Sequence, residues 1–240
     1  MFRIFFLTLI SSTIFAQNNA TIKGEILTKM IINDTIHFSS GIYNKAYYED
    51  NDLSSIVKNN NFILKSNLTY PHMYVLNLDS EKNNILFRGG QYFIDNDTKN
   101  MQLDSLYRIK LLDGASNLEY KNKFLPYILK NIKDNFYAFR FNNGEIFDNR
   151  LFNYVKKNPD SYVALWFLID RLTSVGYNEI YEKILNQFSL PLKSSKLWKT
   201  VNTELLTKKE NYKTDPNFDL KSVDLKNENL KLQNYILIDF

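Results

Sequence analysis

The chain has 240 residues, is 44% hydrophobic and 15% aromatic, and carries 30 basic against 26 acidic side chains for a net charge of +4. That length and apolar content suit one large or two ordinary domains and exclude a disordered chain. The absence of cysteine excludes disulfides, thiolate metal ligands, a thiol nucleophile and a redox pair, and the interleaving of Lys with Asp and Glu leaves no basic stripe for nucleic acid.

The first stretch, "MFRIFFLTLISSTIFAQ", sets Arg3 before an apolar run from Ile4 to Leu9, then small residues and Ala16 at a cleavage point. This is the layout of a secretory signal peptide over residues 1–16, so the protein is expected to be exported. A membrane anchor or a buried N-terminal strand is the competing reading, although the run falls short of the roughly 20 residues that span a bilayer. No later segment is apolar enough for a transmembrane helix.

Residues 17–112 read as a β-rich domain. "TIKGEIL" alternates apolar and polar positions around Gly24, the pattern of a half-buried strand. "TIHFSSGIYNKAYYE" spaces Ile, Phe and Tyr for further strands, and "NNNFILKSNL" leads an Asn-rich turn into a short one. In "YPHMYVLNL" one face carries His72, Tyr74, Leu76 and Leu78, and the other Met73, Val75 and Asn77. "NNILFRGGQYFID" reads as two strands joined by a Gly89-Gly90 hairpin turn. "MQLDSLYRIKLL" reads as another strand pair, with a helix as the alternative. Many short strands with Asn and Gly turns predict a β-sandwich-like domain or an open barrel.

Residues 113–212 have helical periodicity. Ser116 to Glu119 fits a capping box, with Tyr120, Phe124, Tyr127 and Ile128 on one face behind it. Pro126 should kink that helix or mark its true start. A helix ends before Pro159, and the next starts at an Asp160 or Ser161 cap and runs through "YVALWFLIDRL" to Gly176. Its apolar residues nearly encircle it, so it is expected to be buried on most sides. Tyr181, Ile184, Leu185 and Phe188 form a third stripe, and Leu197, Trp198, Val201 and Leu205 a fourth. Short connections favour antiparallel packing as a small bundle. Residues 213–240 read as a turn at Thr214 to Pro216 followed by strands. The last of these carries Ile236, Leu237, Ile238 and Phe240, each worth about 1.5–3 kcal/mol if buried.

Residue chemistry points to no catalytic, cofactor-binding or metal site. His37 and His72 lie far apart in strand patterns, and no G-x-S-x-G elbow accompanies them. Glu49, Asp50 and Asp52 beside Tyr47 and Tyr48 lack the ligand spacing of a calcium loop and read as a solvated turn. Gly89-Gly90 belongs to no phosphate-binding pattern. Trp166 reads as core, and Asp170-Arg171 and Glu182-Lys183 as helix-surface charges.

"IKGEI" at Ile22–Ile26, "NNFILKSNLTYPHMYVL" at Asn60–Leu76, "LFNYVKKNPDSYVALWFL" at Leu151–Leu168 and "PNFDLKSVDLKNENLKLQNYILIDF" at Pro216–Phe240 carry a resemblance in their order. The chain resembles TlpA/ResA-like thiol–disulfide oxidoreductases of Gram-negative envelopes, those with an N-terminal β-rich domain of unknown function and a helical middle. In that family P-x-F-x-L and a strand ending in D-F lead at once into W-A-x-W-C-x-x-C. Here the chain departs from the pattern, because Phe240 is its last residue. The resemblance therefore implies an α+β fold of three parts: β-sandwich-like domain, helical middle, and incomplete start of a thioredoxin-like domain. It implies the exported non-catalytic portion of an oxidoreductase, truncated before its CxxC, redox-inactive as it stands, without cofactor, and with envelope proteins as partners. The alternative is a free-standing periplasmic module that binds peptide or glycan.

Overall fold

The computed structural model describes residues 20–27, 35–42, 44–50, 52–80, 85–104 and 108–214. The expected signal peptide lies outside them, as do residues 215–240 of the expected thioredoxin-like start. The described residues form a mixed α+β fold.

Strands β1 (Ala20–Ile26), β2 (Thr35–Ser40), β3 (Asp52–Ile56), β4 (Asn61–Ser66), β5 (His72–Ser80), β6 (Ile85–Ile94), β7 (Asn100–Leu103) and β8 (Ile109–Leu112) make two four-stranded sheets, ordered β4-β1-β7-β8 and β3-β2-β5-β6. In β1, Ala20, Ile22, Gly24 and Ile26 are buried while Thr21, Lys23 and Glu25 are exposed, so the sequence alternation becomes one wet and one dry face. Gly24 lies opposite Phe62 in register, and a Cβ there would sit 1.9 Å from the Phe62 ring. The ring fills the space a side chain would take. Asn59 and Asn60, with φ of 51° and 63°, turn the chain between β3 and β4, a left-handed pair that Asn tolerates better than most residues.

The Gly89-Gly90 hairpin does not form; both glycines lie inside the single strand β6. Val75 pairs with Gln91, and Asn77 pairs with Arg88, so two glycines oppose the one residue Leu76. This is a β-bulge, the other use of glycine within a strand. β6 is a sheet edge, and Asn117 closes part of it. The Phe93 N–H donates to Asn117 Oδ1 at 3.0 Å, and Asn117 Nδ2 donates back to the Phe93 carbonyl, as a neighbouring strand would.

The helices are α1 (Ala115–Glu119), α2 (Leu125–Ile128), α3 (Phe136–Asn142), α4 (Gly144–Lys157), α5 (Tyr162–Val175), α6 (Glu179–Gln187), α7 (Leu190–Lys193) and α8 (Lys196–Thr214). The capping box at Ser116 is corrected: the helix starts at Ala115, after Gly114. Asp95 acts from a distance instead, its Oδ2 accepting the Ser116 N–H at 2.9 Å. Pro126 lies in the first turn of α2, so it marks the start of α2 and not of the whole run. A π-helical turn, Tyr120–Phe124, joins α1 to α2, and the Leu125 N–H reaches back to the Tyr120 carbonyl. The widened turn absorbs the missing proline donor. Ser161 caps α5, accepting the Ala164 N–H at 2.9 Å, and Gly176 at φ 83° ends it.

Every residue of α5 from Val163 to Leu172 is buried, and α5 packs against α4, α6, α8 and strand β5. The buried side chains of sheets and helices form one cluster. α8 continues two residues past the expected helical segment, to Thr214. No helix among the described residues is long and apolar enough to cross a membrane.

Candidate functional site

Helix α5 meets the sheets through Trp166, whose side chain is fully buried and whose Nε1–H donates to the Pro71 carbonyl at 2.7 Å. The Tyr48 ring lies 4.9 Å from the indole and the His72 ring 6.0 Å from it. Tyr70 stacks on His72 at 4.5 Å and 11°. The short 3-10 turn at Lys45–Tyr47 brings Tyr47 and Tyr48 into this hub.

Backbone groups satisfy nearly every polar atom of the hub. His72 Nδ1 is 2.8 Å from the Tyr70 carbonyl, and its Nε2 accepts the Glu49 N–H at 2.8 Å. The Tyr48 hydroxyl accepts the Gly41 and Ile42 N–H groups at 2.9 and 3.2 Å and donates to the Met73 carbonyl at 2.6 Å. Tyr70 donates to the Tyr47 carbonyl at 2.7 Å and Tyr74 to the Asp50 carbonyl at 2.6 Å. Tyr47 is the exception: its hydroxyl donates to the Glu204 carboxylate on α8. Burial pushes all four phenols far above their ordinary value and pulls His72 down to about 4. Near pH 7 the hub is a set of neutral, occupied hydrogen-bonding groups.

Beside the hub a cleft of 330 Å3 opens between Thr69–Pro71, Asp95–Asp97, the first turn of α1, and Asp160 with Tyr162 at the start of α5. Tyr70 and Tyr162 face each other across 6.2 Å at an angle of 6°. Three of its carboxylates also hold elements in place. Asp95 accepts from the Asp97 N–H, the Thr98 hydroxyl and the Ser116 N–H. Glu119 accepts from Tyr154 and Ser161, and Asp160 from Ser189.

The histidines do not meet. His37 pairs with Asn77 on β5, whereas His72 pairs with Ile94 on β6. Among the described residues no group of three or more His, Cys, Asp or Glu side chains could hold a metal ion. Glu49 is more than part of a solvated turn: its carboxylate accepts the Thr69 N–H at 2.6 Å and the Thr69 hydroxyl at 2.5 Å. Trp166 is core, as its helix pattern indicates.

Asp170 and Arg171 are not surface charges. Arg140 Nη1 lies 2.5 Å from Asp170 Oδ2, with both side chains nearly buried. Arg171 holds Asp148 with two bonds, Nε to Oδ1 at 2.8 Å and Nη2 to Oδ2 at 3.0 Å. Tyr181 adds a third bond to Asp148 at 3.2 Å. The charges are internal because α5 has no wet side on which to place them. The signal was present in "ALWFLIDRL", where no polar face surrounds the pair. Glu182, by contrast, is half-buried and meets Lys209 at 2.7 Å, and Lys183 is exposed. No family model, no curated protein and no solved structure matches this chain.

Proposed function

We propose that the chain is the exported, non-catalytic scaffold of a periplasmic thiol–disulfide oxidoreductase, holding a thioredoxin-like unit that begins near Pro216 against envelope substrate proteins. In this reading the two sheets form a β-sandwich-like unit, and the strands after Pro216 open the thioredoxin-like fold. The observation that carries it is the anchoring of α8. Tyr47 and Asn44 grip Glu204 from the sheet side, Lys209 bridges to Glu182 on α6, and Leu197, Val201 and Leu205 are buried. A helix held this way along its length suits a mount for a chemical partner. With no cysteine in the chain, the mount itself has no thiolate to attack a disulfide.

Reading the codons after Phe240 and assaying insulin disulfide reduction test this together. The expected result is a W-x-x-W-C-x-x-C continuation, with turnover by the extended protein and none by the chain alone. A continuation without that motif, or turnover by the chain alone, refutes it. The second reading, a peptide- or glycan-binding module, draws on the cleft between Tyr70 and Tyr162. Calorimetric titration with basic peptides and oligosaccharides, repeated on Tyr162→Ala, tests it. Heat of binding that disappears in the variant supports this reading, and no heat with any ligand removes it.

A further inference from the structure

We propose that the turn from Asn44 to Asp50 is an acid-opened clasp between the sheets and helix α8, with His72 as its latch. The hydrogen-bond pattern around His72 admits one state of the ring. Nδ1 faces a carbonyl oxygen, that of Tyr70, and therefore carries a proton. Nε2 faces an N–H, that of Glu49, and therefore presents a lone pair. The ring is neutral, and this tautomer follows from the identity of its two partners. A second proton would lie on Nε2 and point at the Glu49 N–H, in a site with no exposure to water. The Glu49 amide must then leave.

What leaves with it is the contact to α8. The same turn sends Asn44 Nδ2 to Glu204 Oε2 at 2.9 Å and the Tyr47 hydroxyl to the same carboxylate. It also carries Tyr48 against Trp166. The charged and titratable groups around His72 are few. The turn contributes Tyr48 and Glu49, and the Glu49 carboxylate favours a proton on the ring. Its own strand and the preceding corner contribute Tyr74 and Tyr70. α8 contributes Lys196, which opposes the proton. α5 presents the neutral Trp166, with Asp170 acting on Tyr48 behind it. β6 places Ile94 opposite. Among the described residues no carboxylate makes a hydrogen bond to the ring, and burial outweighs the help that the Tyr70 carbonyl and the Glu49 carboxylate give an imidazolium.

Burial lowers His72 from the ordinary 6.5 to about 4. The open form therefore takes up the proton first as pH falls. The closed clasp has its full stability above pH 6.5, loses it progressively below, and the loss levels off near pH 4. The span corresponds to about 300-fold in the closing equilibrium. On the exported reading proposed above the protein meets external pH directly, and such a clasp would loosen α8 in acid surroundings.

Hydrogen exchange of the full chain, read by mass spectrometry at pH 7 and pH 4.5 and corrected for intrinsic rates, tests this. Peptides covering residues 44–50 and 196–214 should exchange at least about tenfold faster at pH 4.5, while β1 and β7 keep their protection. In His72→Gln, whose amide offers the same donor and acceptor but does not titrate, both peptides should be insensitive to this change. Equal protection of the wild-type peptides at the two pH values overturns the proposal, as does acid opening in His72→Gln or loss of protection everywhere at once. Should His72→Gln not fold, 15N imidazole shifts of the wild type decide: a neutral Nδ1–H ring titrating below pH 5 supports the latch, and one titrating near 6.5 refutes it.

Discussion

Helix α5 buries polar chemistry in two ways, one turn apart. At Trp166 it joins a neutral hub in which tyrosines and His72 bond mostly to backbone N–H and carbonyl groups. At Asp170 and Arg171 it buries full charges, each answered by a charge on another helix. In the hub a deletion mostly strands a dipole, Tyr47 with its Glu204 partner excepted. In the charged pair a deletion strands an ion, which is far costlier to hold away from water. The β-to-helix seam is therefore the gentler joint and the helix interior the more brittle one.

The largest effect should come from breaking the brittle side. Asp148→Ala leaves the Arg171 guanidinium buried without its bidentate partner and is expected to lower unfolding free energy by about 3–5 kcal/mol, read from urea denaturation. Asp148→Leu combined with Arg171→Met removes both ions and should recover most of that loss. A single-variant loss below about 1 kcal/mol would mean that the charge reaches water, and the contrast with the hub would fail.

On the gentler side, Tyr48→Phe keeps the ring but removes the hydroxyl that serves Gly41, Ile42 and Met73. The Gly41 N–H and the Met73 carbonyl keep each other at 3.4 Å, so the Ile42 N–H is left unpaired, which should cost about 1–3 kcal/mol in the same experiment. A value equal to that of Asp148→Ala would show that charge is not what sets the cost.

The two sides also differ in how much the sequence discloses. The shared face of Tyr74 and Leu76 follows from period-2 alternation, and both are buried in β5, although Met73 on the other face is buried too. The role of His72 is not legible, because its decisive partner is a backbone N–H 23 residues upstream. The same holds for the cap that Asp95 gives to α1 from 21 residues away. A local signal also misleads where one residue type has two uses: the glycine pair fits a hairpin turn and a bulge equally, and only the register against Leu76 decides. Asp170 and Arg171 look like surface charges because charges usually are. Only the lack of a polar face on α5 argues otherwise, and their partners Arg140 and Asp148 lie 30 and 23 residues before them.

The smallest effect isolates burial as the cause of the difference. Lys209 and Glu182 form an ion pair of the same chemistry at 2.7 Å, but their side chains keep 28% and 30% of their exposure. Glu182 also retains the Tyr177 hydroxyl as a donor when the lysine is gone. Lys209→Met preserves the aliphatic stem and removes the charge, so it should shift stability by no more than about 0.5 kcal/mol, with the shift shrinking further in salt. Set beside Asp148→Ala, this variant holds the ion-pair chemistry nearly constant and changes the access to water. If it costs as much as the buried break, α8 depends on that bridge for its docking, and exposure is not what separates the two pairs. If it costs almost nothing, the brittleness near α5 belongs to the desolvated site and not to ion pairs as such.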